Sequence, residues 1–413
     1  MYKNIWIINH YASMPNQSNG ARHYNLAKQL VNQGYDVTIF HSSAVHNSKY
    51  NSITDNSLYR IDDYCGIKFV SVKTDNYDKN NFKRIQNILQ FYHRVKVVAK
   101  KIMKENSPDV IIGSSMHPLT LYAASRIAKM GSCKYIIEIR DLWPETFLSI
   151  KPNFSKLILK FFYSLERRIY LEADKLIFVM EGGYDYLVER GWEKDFDRKN
   201  VYYINNGVDI ELFEKNKATY KIENNDLANE KIFKVVYTGS IGLVNNLGLL
   251  LDVAEYIDNK GLDDIKFLIW GQGPQRSELE KSCVERNIKN VVFEGTVEKR
   301  YIPYIISHAD INIIQNRALA VHRFGTSENK KFEYLAAGKP IIKIGYNGYD
   351  IIEEHMAGVT ITDVTVKAIA ETVIRFYNMN SSEYDEYSSN AKKLAKEYDF
   401  NILSQKLINA IED

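Results

Sequence analysis

A polar loop followed by a short helical pattern, residues 325–340, contains the side chains whose spacing best suits chemistry. Lys330 and Glu333 are three residues apart, so they share one face of a predicted helix that begins near Asn329 and ends at Gly338. A carboxylate accepts hydrogen bonds from both hydroxyls of a ribose diol, and a lysine beside the free N–H groups of a helix N-terminus neutralises a diphosphate. The alternative is a solvated ion pair on a surface helix, although the abrupt helix stop favours the binding interpretation.

Glycine-containing turns follow three of the predicted strands. Gly20 lies in the loop after the first strand, and Gly239 and Ser240 follow the first strand of the second half. Gly271 and Gly273 follow the next strand. Glycine allows the backbone to approach a ligand closely, and a helix N-terminus favours an anion. Each turn alone is an ordinary strand-to-helix turn, but three in equivalent positions indicate a nucleotide-type ligand.

The elements that must position these residues are short apolar runs that alternate with amphipathic stretches. The runs predicted as strands are Ile5–Asn9, Asp36–His41, Ile67–Val72, Val110–Gly113, Tyr135–Ile139, Lys175–Val179, Val235–Thr238, Lys266–Trp270, Val291–Phe293, Ile311–Ile314 and Pro340–Ile344. The pattern pauses at residues 214–231, a polar segment predicted as a loop or linker near a domain boundary. It then restarts, which predicts two Rossmann-like α/β halves with parallel sheets. Ligands of such sheets bind beyond the carboxyl ends of the strands.

Length, composition and charge limit the class of protein. The 413 residues predict two or three domains, and 54 basic against 51 acidic residues are too balanced for a protein that coats nucleic acid. The apolar share of 45% and the charged share of 25% exclude disordered and collagen-like chains. Three cysteines without a CxxC pair exclude a zinc ribbon and fit a reducing compartment. Since no apolar run is long enough for a signal peptide or a membrane span, we expect a cytoplasmic protein.

Four segments resemble motifs of the retaining glycosyltransferases of family 4. They are residues 114–118 (SSMHP), 138–145 (EIRDLWPE), 206–209 (NGVD) and 327–340 (SENKKFEYLAAGKP). The nearest branch builds bacterial O-antigen and capsule repeat units and includes N-acetylfucosamine transferases. The resemblance covers nearly the whole chain, and its second and fourth segments are the specific ones.

The resemblance implies the GT-B fold, in which two Rossmann-like domains face a central cleft and a C-terminal helix crosses back to the N-terminal domain. We therefore expect an acceptor-side domain over residues 1–198, onto which residues 394–413 pack, and a donor domain over residues 199–393. The implied donor is a nucleotide-diphosphate sugar, with UDP and an N-acetylated hexosamine or deoxyhexosamine expected. The implied acceptor is a polyprenyl-diphosphate-linked saccharide at the inner face of the plasma membrane.

The resemblance also implies roles for single residues of the donor domain. Glu333 would hold the ribose hydroxyls, while Lys330, Asn329 and the helix N-terminus would face the diphosphate. The remaining donor-site candidates are Gly20, Gly239, Ser240 and Ser327, together with Val297, where backbone groups would meet the base.

Two candidates in the first half follow predicted strands and are therefore expected to face the ligand. His117 would contact the transferred sugar, although a histidine satisfied within its own loop is the alternative. Asp141 would orient the acceptor hydroxyl or accept its proton, although it could instead cap a helix or pair with Arg140. We count His117, Asp141 and Lys330 as the catalytic candidates.

Two departures from the family pattern concern the donor site. Gly325 stands where many members have a glutamate that contacts the sugar, and the turn 240–245 lacks the usual Arg and Lys. Lys330, with Arg323 as a second candidate, would then stabilise the leaving diphosphate. No DxD pair follows a strand, so we expect neither a metal nor a cofactor. Retention in this family is usually described as same-face attack in which the leaving phosphate takes the acceptor proton.

Residues 79–104 and 151–170 are basic and aromatic, which predicts contact with an anionic membrane surface. The alternative is a pair of core-facing helices with a solvated cationic face.

Three other functions stay open. A UDP-GlcNAc 2-epimerase has the same architecture and needs no acceptor, and a catalytically silent scaffold would explain Gly325. An RNA-binding module is the third, against which the dispersed charges argue.

Overall fold

The computed structural model describes residues 3–12, 14, 22–45, 48, 50–77, 82–150, 155–317 and 319–413, with the backbone alone for Phe147 and Ile150. These residues form two compact units. Unit 1 comprises Met1–Asn205 and Phe400–Asp413, and unit 2 comprises Asn206–Asp399. The boundaries expected from the sequence, after residues 198 and 393, lie a few residues before these.

Unit 1 is a doubly wound α/β domain with an eight-stranded sheet of order β3-β4-β2-β1-β5-β6-β7-β8. Its strands are β1 Asn4–Ile8, β2 Asp36–Ser42, β3 Tyr59–Tyr64, β4 Ile67–Val72, β5 Val110–Ser114, β6 Lys134–Ile139, β7 Lys175–Phe178 and β8 Val201–Tyr203. Its helices are α1 Arg22–Asn32, α2 Phe82–Ile102, α3 Pro118–Gly131, α4 Glu145–Ile150, α5 Lys156–Tyr170, α6 Gly183–Glu189 and α16 Phe400–Glu412. The described strands pair in parallel, apart from the edge strand β3, which is antiparallel to β4.

Unit 2 has a six-stranded parallel sheet of order β11-β10-β9-β12-β13-β14. Its strands are β9 Phe233–Thr238, β10 Ile265–Trp270, β11 Val291–Gly295, β12 Ile311–Gln315, β13 Ile341–Ile344 and β14 Gly358–Ile361. Its helices are α7 Ile210–Thr219, α8 Asn225–Ala228, α9 Gly248–Asp258, α10 Arg276–Glu285, α11 Ile302–Ser307, α12 Asn329–Ala337, α13 Ile351–Glu354, α14 Val366–Tyr377 and α15 Ser381–Glu397.

Burial on both faces explains why the central strands are continuous apolar runs. All five residues of β1 and of β12 are buried, since helices cover each face of the two sheets. The last helix, α16, packs against α1 and buries Leu403 and Leu407 in the core of unit 1. The prediction that the C-terminal helix returns to the first domain is therefore confirmed.

The segment 214–231 is not the linker that its polarity predicts. It contains the end of α7 and all of α8, and both helices belong to unit 2. Asp209 and Asn224 cap these helices by accepting backbone N–H groups three residues later. Phe213 and Leu227 bury their side chains in the core of unit 2. The prediction failed because caps and one buried residue per helix suffice here without an apolar stripe.

None of the helices in the described ranges has the length and apolar character needed to cross a membrane.

Candidate functional site

The turns after β9 and β10 pack backbone against backbone, which only glycine permits. A Cβ on Gly271 would lie 1.8 Å from the carbonyl oxygen of Gly239, and a Cβ on Gly273 would lie 2.2 Å from that of Ile241. Gly239 itself has φ 146°. The two glycine turns that the sequence singled out therefore form one rigid layer at the carboxyl edge of the unit 2 sheet.

Lys330 lies against this layer. Its Nζ is 4.4 Å from the ring centroid of Tyr237 and 3.3 Å from the Tyr237 hydroxyl. A Cβ on Gly239 would be only 3.1 Å from the same Nζ. Burial lowers the pKa of Lys330 to about 8, although the nearby Glu328 carboxylate opposes the shift. The result is a desolvated cation in the first turn of α12, where the helix N-terminus also favours an anion.

The helix α12 is fixed at both ends. The Tyr334 hydroxyl accepts the backbone N–H of Thr238 at 2.8 Å, which ties α12 to the end of β9. Gly338 ends the helix in the left-handed conformation with φ 64°. The predicted start near Asn329 and the predicted stop at Gly338 are both confirmed.

Glu333 lies one turn after Lys330 on α12 and is paired with a residue that the sequence did not single out. Its Oε1 is 3.0 Å from Lys299 Nζ, and about a fifth of its side chain is exposed. Lys299 follows β11 and comes two residues after Val297, which packs against the unit 2 core. A ribose diol that binds Glu333 would therefore share the carboxylate with Lys299.

Ser240 and Ser327 are both held by asparagines. Asn245 donates to the carbonyl and the hydroxyl of Ser240 at 2.8 and 2.9 Å, which orders the turn after β9. Asn206 donates its backbone N–H to the Ser327 hydroxyl at 3.0 Å. Ser327 thus anchors the start of unit 2, and Asn329 is exposed at the first position of α12. Gly20 lies outside the described residues.

A carboxylate, that of Glu328, lies near Gly325 in the chain, but other side chains already bind it. Glu328 accepts a hydrogen bond from Asn316 at 2.8 Å. Burial alone would raise the pKa of Glu328, but the charges of Lys331 and Lys343 lower it to about 2. Arg323 donates to the carbonyl of Ala320 at 2.7 Å and lies over the Phe324 ring, so it is held within its own turn.

In unit 1, a buried polar cluster joins the start of α1 to the carboxyl ends of β5 and β6. Glu138 accepts from Arg22, His23 and Ser114, each at 2.8 Å. Arg22 also donates to the backbone carbonyls of Ile204 and Asn205. Burial alone would raise the pKa of Glu138, but Arg22 and His23 hold it well below its usual value. This cluster fixes the loops that carry the next two candidates.

His117 precedes α3 and contacts a second histidine. Its Nε2 lies 2.8 Å from His10 Nδ1 and 3.3 Å from the Thr120 hydroxyl. His10 Nε2 in turn lies 2.7 Å from Asn87 Oδ1. Burial and the charge of Arg84 lower the pKa of His117 to about 3, so its ring is neutral at physiological pH. His117 is therefore not simply a loop histidine satisfied by its own backbone.

His117 and Asp141 line the same open pocket. The lining residues are Ser115, Met116, His117, Pro118, Leu121, Asp141, Trp143, Glu166, Ile169 and Tyr170. Burial raises the pKa of Asp141, and the charge of Arg140 opposes this. Aromatic and apolar walls with a few polar groups are typical of a small-molecule site.

Glu166 is a second buried carboxyl of this pocket. Burial raises its pKa from an ordinary 4.5 to about 8, while the Tyr186 and Tyr170 hydroxyls donate to it at 2.6 and 2.7 Å and oppose the shift. The native state therefore binds a proton that the unfolded chain releases between these two pH values.

We expect the free energy of unfolding to fall as the pH rises from about 4.5 to about 8, because of Glu166. The contribution of this one group is up to about 1.4 kcal/mol per pH unit. Glu166→Gln should flatten the profile, which denaturant titrations at pH 5, 6, 7 and 8 measure. Parallel profiles for the variant and the wild type would contradict the assignment.

Several of these residues gave little signal in the sequence. Tyr237 and Lys299 stand near predicted strand ends and could have been suspected. Asn87 and Glu166 lie inside helices, where only the folded structure shows their partners. Within the described part of the chain, no group of three or more His, Cys, Asp or Glu side chains is placed to hold a metal ion.

Solved structures with the same fold are two-domain GT-B proteins. Sucrose-phosphate synthase from Thermosynechococcus elongatus has a TM-score of 0.73 and 13% identity, over 99% of this chain and 98% of that one. HepE of Anabaena, solved in complex with UDP and glucose, has a TM-score of 0.68 and 14% identity, over the whole of both chains. At these identities the likeness establishes the fold, and the GT-B prediction is confirmed.

Two family profiles match consecutive parts of the chain. The profile described as Glycosyltransferase Family 4 matches residues 21–212, and the profile described as Glycosyl transferases group 1 matches residues 219–394. Each profile covers a little under half of the chain, so its first half is similar to Glycosyltransferase Family 4 and its second half to Glycosyl transferases group 1.

Curated relatives match about half of the chain. The putative teichuronic acid biosynthesis glycosyltransferase TuaH of Bacillus subtilis is 25% identical over 50% of this chain and 49% of its own length. The poly(ribitol-phosphate) alpha-N-acetylglucosaminyltransferase of Staphylococcus aureus is 23% identical over 52% of this chain and 40% of its own length. The matched segment thus spans about half or less of each relative.

Proposed function

We propose that this chain transfers a sugar from a nucleotide-diphosphate sugar to a saccharide acceptor, with retention of the anomeric configuration. The observation that carries the proposal is the position of Lys330, a desolvated cation at the start of α12 and 3.3 Å from the Tyr237 hydroxyl. Glu333 on the same helix supplies the carboxylate for a ribose diol. The two profile matches support sugar transfer over isomerisation.

The chemistry that this site favours is departure of a nucleotide diphosphate. Negative charge develops on the leaving phosphate as the anomeric bond breaks. Lys330 and the N-terminal N–H groups of α12 are fixed cationic and dipolar partners for that charge. The acceptor hydroxyl attacks from the same face, and the leaving phosphate takes its proton. Lys330 neutralises the negative charge of the leaving diphosphate, which a metal ion would otherwise do. We therefore expect turnover in the presence of a chelator.

In unit 1, we assign the pocket of His117 and Asp141 to saccharide binding. Trp143 and Tyr170 offer aromatic walls to the apolar face of a sugar ring. Asp141 accepts a hydrogen bond from the reacting hydroxyl and orients it.

The proposed donor is a UDP-linked N-acetylated hexosamine or deoxyhexosamine, and the proposed product is a bacterial surface polysaccharide such as O-antigen or capsule. Support comes from the names of TuaH and the Staphylococcus aureus enzyme, which refer to wall polymers and to N-acetylglucosamine. The complex of HepE with UDP and glucose supports the nucleotide.

Calorimetric titration with UDP, GDP, ADP and dTDP tests the donor site. We expect UDP to bind best and Glu333→Ala to weaken it by about tenfold to a hundredfold, because hydrogen bonds to a charged group contribute about 1.5–3 kcal/mol. Lys367→Ala, a surface change on α14, is the matched control. Tight UDP binding that survives Glu333→Ala would refute the ribose assignment and leave the Lys330 assignment standing.

A cationic, apolar surface of unit 1 supports a lipid-linked acceptor. The helix α2 has six Lys or Arg residues and no Asp or Glu, and α5 has four against one buried glutamate. Glu166, Ile169 and Tyr170 at the end of α5 line the pocket of His117 and Asp141, so α5 connects this pocket to its own first turns. Phe82, Leu157 and Phe161 are exposed by 77%, 79% and 64% in the first two turns of α2 and α5. We call these three exposed side chains, with the lysines and arginines beside them, the rim. We propose that the rim docks on an anionic bilayer as a peripheral contact.

Co-sedimentation with vesicles of anionic phospholipid tests the rim. Leu157→Ser with Phe161→Ser should reduce the bound fraction several-fold, because each buried apolar side chain contributes about 1.5–3 kcal/mol. Lys156→Glu with Lys160→Glu should act in the same direction. The matched control is Lys281→Glu with Lys367→Glu, which changes the charge equally at exposed positions of unit 2. Equal losses for both charge variants would show non-specific attraction instead of a docking rim.

A further inference from the structure

A chain of hydrogen bonds leads from a backbone carbonyl to His117. Asn87 Nδ2 donates to the carbonyl oxygen of Asp75 at 2.6 Å, which fixes the orientation of the Asn87 amide. Its Oδ1 therefore faces His10 Nε2, at 2.7 Å. The other nitrogen of His10 meets His117 Nε2 at 2.8 Å. Three side chains from separate parts of unit 1 thus form one relay.

The relay determines which nitrogen of each ring carries a proton. Asn87 Oδ1 only accepts, so His10 Nε2 donates and carries the proton. The His10 ring is 1% exposed and stacks between Tyr11 and Phe91, with centroids at 4.4 and 4.6 Å, an environment that favours a neutral ring. A neutral His10 offers an unprotonated Nδ1. His117 must then donate to it from a protonated Nε2.

The opposite nitrogen of His117 is left as a buried acceptor. Its Nδ1 has no hydrogen-bond partner among the described residues. His117 stands at the N-cap position of α3, yet its side chain makes no capping hydrogen bond. A buried polar atom without a partner calls for a specific explanation. The residue lines the pocket that also holds Asp141.

We propose that His10 and Asn87 are positioning residues that hold His117 in the Nε2-protonated tautomer, so that Nδ1 accepts a hydrogen bond from a substrate hydroxyl. This inference rests on the proposed function for the identity of the substrate, but the tautomer exists without it. It adds a specificity rule: the sugar at this position must present an O–H donor. A deoxy or O-methyl group there would leave Nδ1 unpaired and would be rejected.

Nitrogen-15 NMR of the imidazole rings tests the relay on the full chain without substrate. His117→Gln identifies the His117 signals by their loss. We expect the wild-type spectrum to show a protonated Nε2 and an unprotonated Nδ1 on His117. A proton on Nδ1 would overturn the inference, whatever the chain catalyses.

Asn87→Leu removes the acceptor that orients His10, and Asn4→Leu is the matched control. Asn4 is also a buried asparagine of unit 1, bonded to Asn106 and Ser107 at the other end of β1. We expect Asn87→Leu to produce a mixture of His117 tautomers and to lower kcat/KM about tenfold to a hundredfold, as the loss of an orienting partner does elsewhere. Asn4→Leu should leave both unchanged.

The outcomes distinguish failure of the relay from failure of the proposed function. An unchanged His117 tautomer in Asn87→Leu would refute the relay even if turnover fell. A chain that transfers no sugar at all would refute the proposed function, while the wild-type tautomer would still decide the relay. If Asn87→Leu does not fold, the wild-type spectrum alone supports or refutes the relay.

Discussion

Replacing Lys330 by alanine is expected to lower kcat/KM by about 10²- to 10³-fold, equivalent to about 3–4 kcal/mol of transition-state stabilisation. The turn after β9 has no basic residue between Ser240 and Asn245, so Lys330 is the cation that the described donor site places beside Gly239. The effect should fall on kcat more than on nucleotide affinity, because charge grows on the diphosphate as the sugar leaves. Steady-state rates of UDP release measure both parameters.

The pH profile of the same reaction identifies Lys330 as the source of the effect. Since its pKa is lowered to about 8, the ammonium loses its proton as the pH rises above that value and kcat/KM of the wild type should decline. Lys330→Arg is the matched control, because a guanidinium stays charged and the decline should disappear. A wild-type profile that is flat to pH 10 would contradict the assignment.

The second large effect concerns stability. Glu138→Leu is expected to lower the free energy of unfolding by about 3–5 kcal/mol, because Arg22 is then buried without a counter-charge. Arg22→Met with Glu138→Leu should cost less than the single change, since Arg22 is then no longer a buried charge without its partner. Denaturant unfolding followed by tryptophan fluorescence gives the three values.

Asp62→Ala is the control for this cycle, because it breaks the surface pair with Arg60 and should change the free energy of unfolding little. The direction in which the free energy of unfolding changes with pH also follows from the lowered pKa of Glu138. Its contribution is present above the ordinary value of 4.5 and is lost as the pH falls below it. A double variant as unstable as Glu138→Leu would show that packing, and not the charge, is decisive.

The fold was predictable where burial on both faces requires a strand to be apolar throughout. Every strand predicted from a continuous apolar run is present, because parallel strands covered on both faces must be apolar throughout. The three strands that were missed are short or exposed. The edge strand β3 contains Asp62 and Asp63 and is largely solvent-facing, while β8 has three residues and β14 has four.

The part of the candidate site that was predictable consists of residues close together in the sequence. Lys330 and Glu333 occupy one helix, so their common face followed from their separation. The pairing of Glu333 with Lys299 and the relay through His10 and Asn87 join residues far apart in the chain. Glu166 gave no signal either, because its raised pKa comes from burial among side chains of other elements. Such contacts exist only in the folded chain.

The most direct test of the account is UDP release from a panel of UDP-sugars, with and without a lipid-linked saccharide acceptor and in the presence of EDTA. The account predicts acceptor-dependent release of UDP by the wild type, unaffected by EDTA and reduced about 10²- to 10³-fold in Lys330→Ala. Isomerisation of a UDP-sugar without an acceptor would contradict it in favour of an epimerase. Binding of UDP without turnover on any acceptor would contradict it in favour of a silent scaffold.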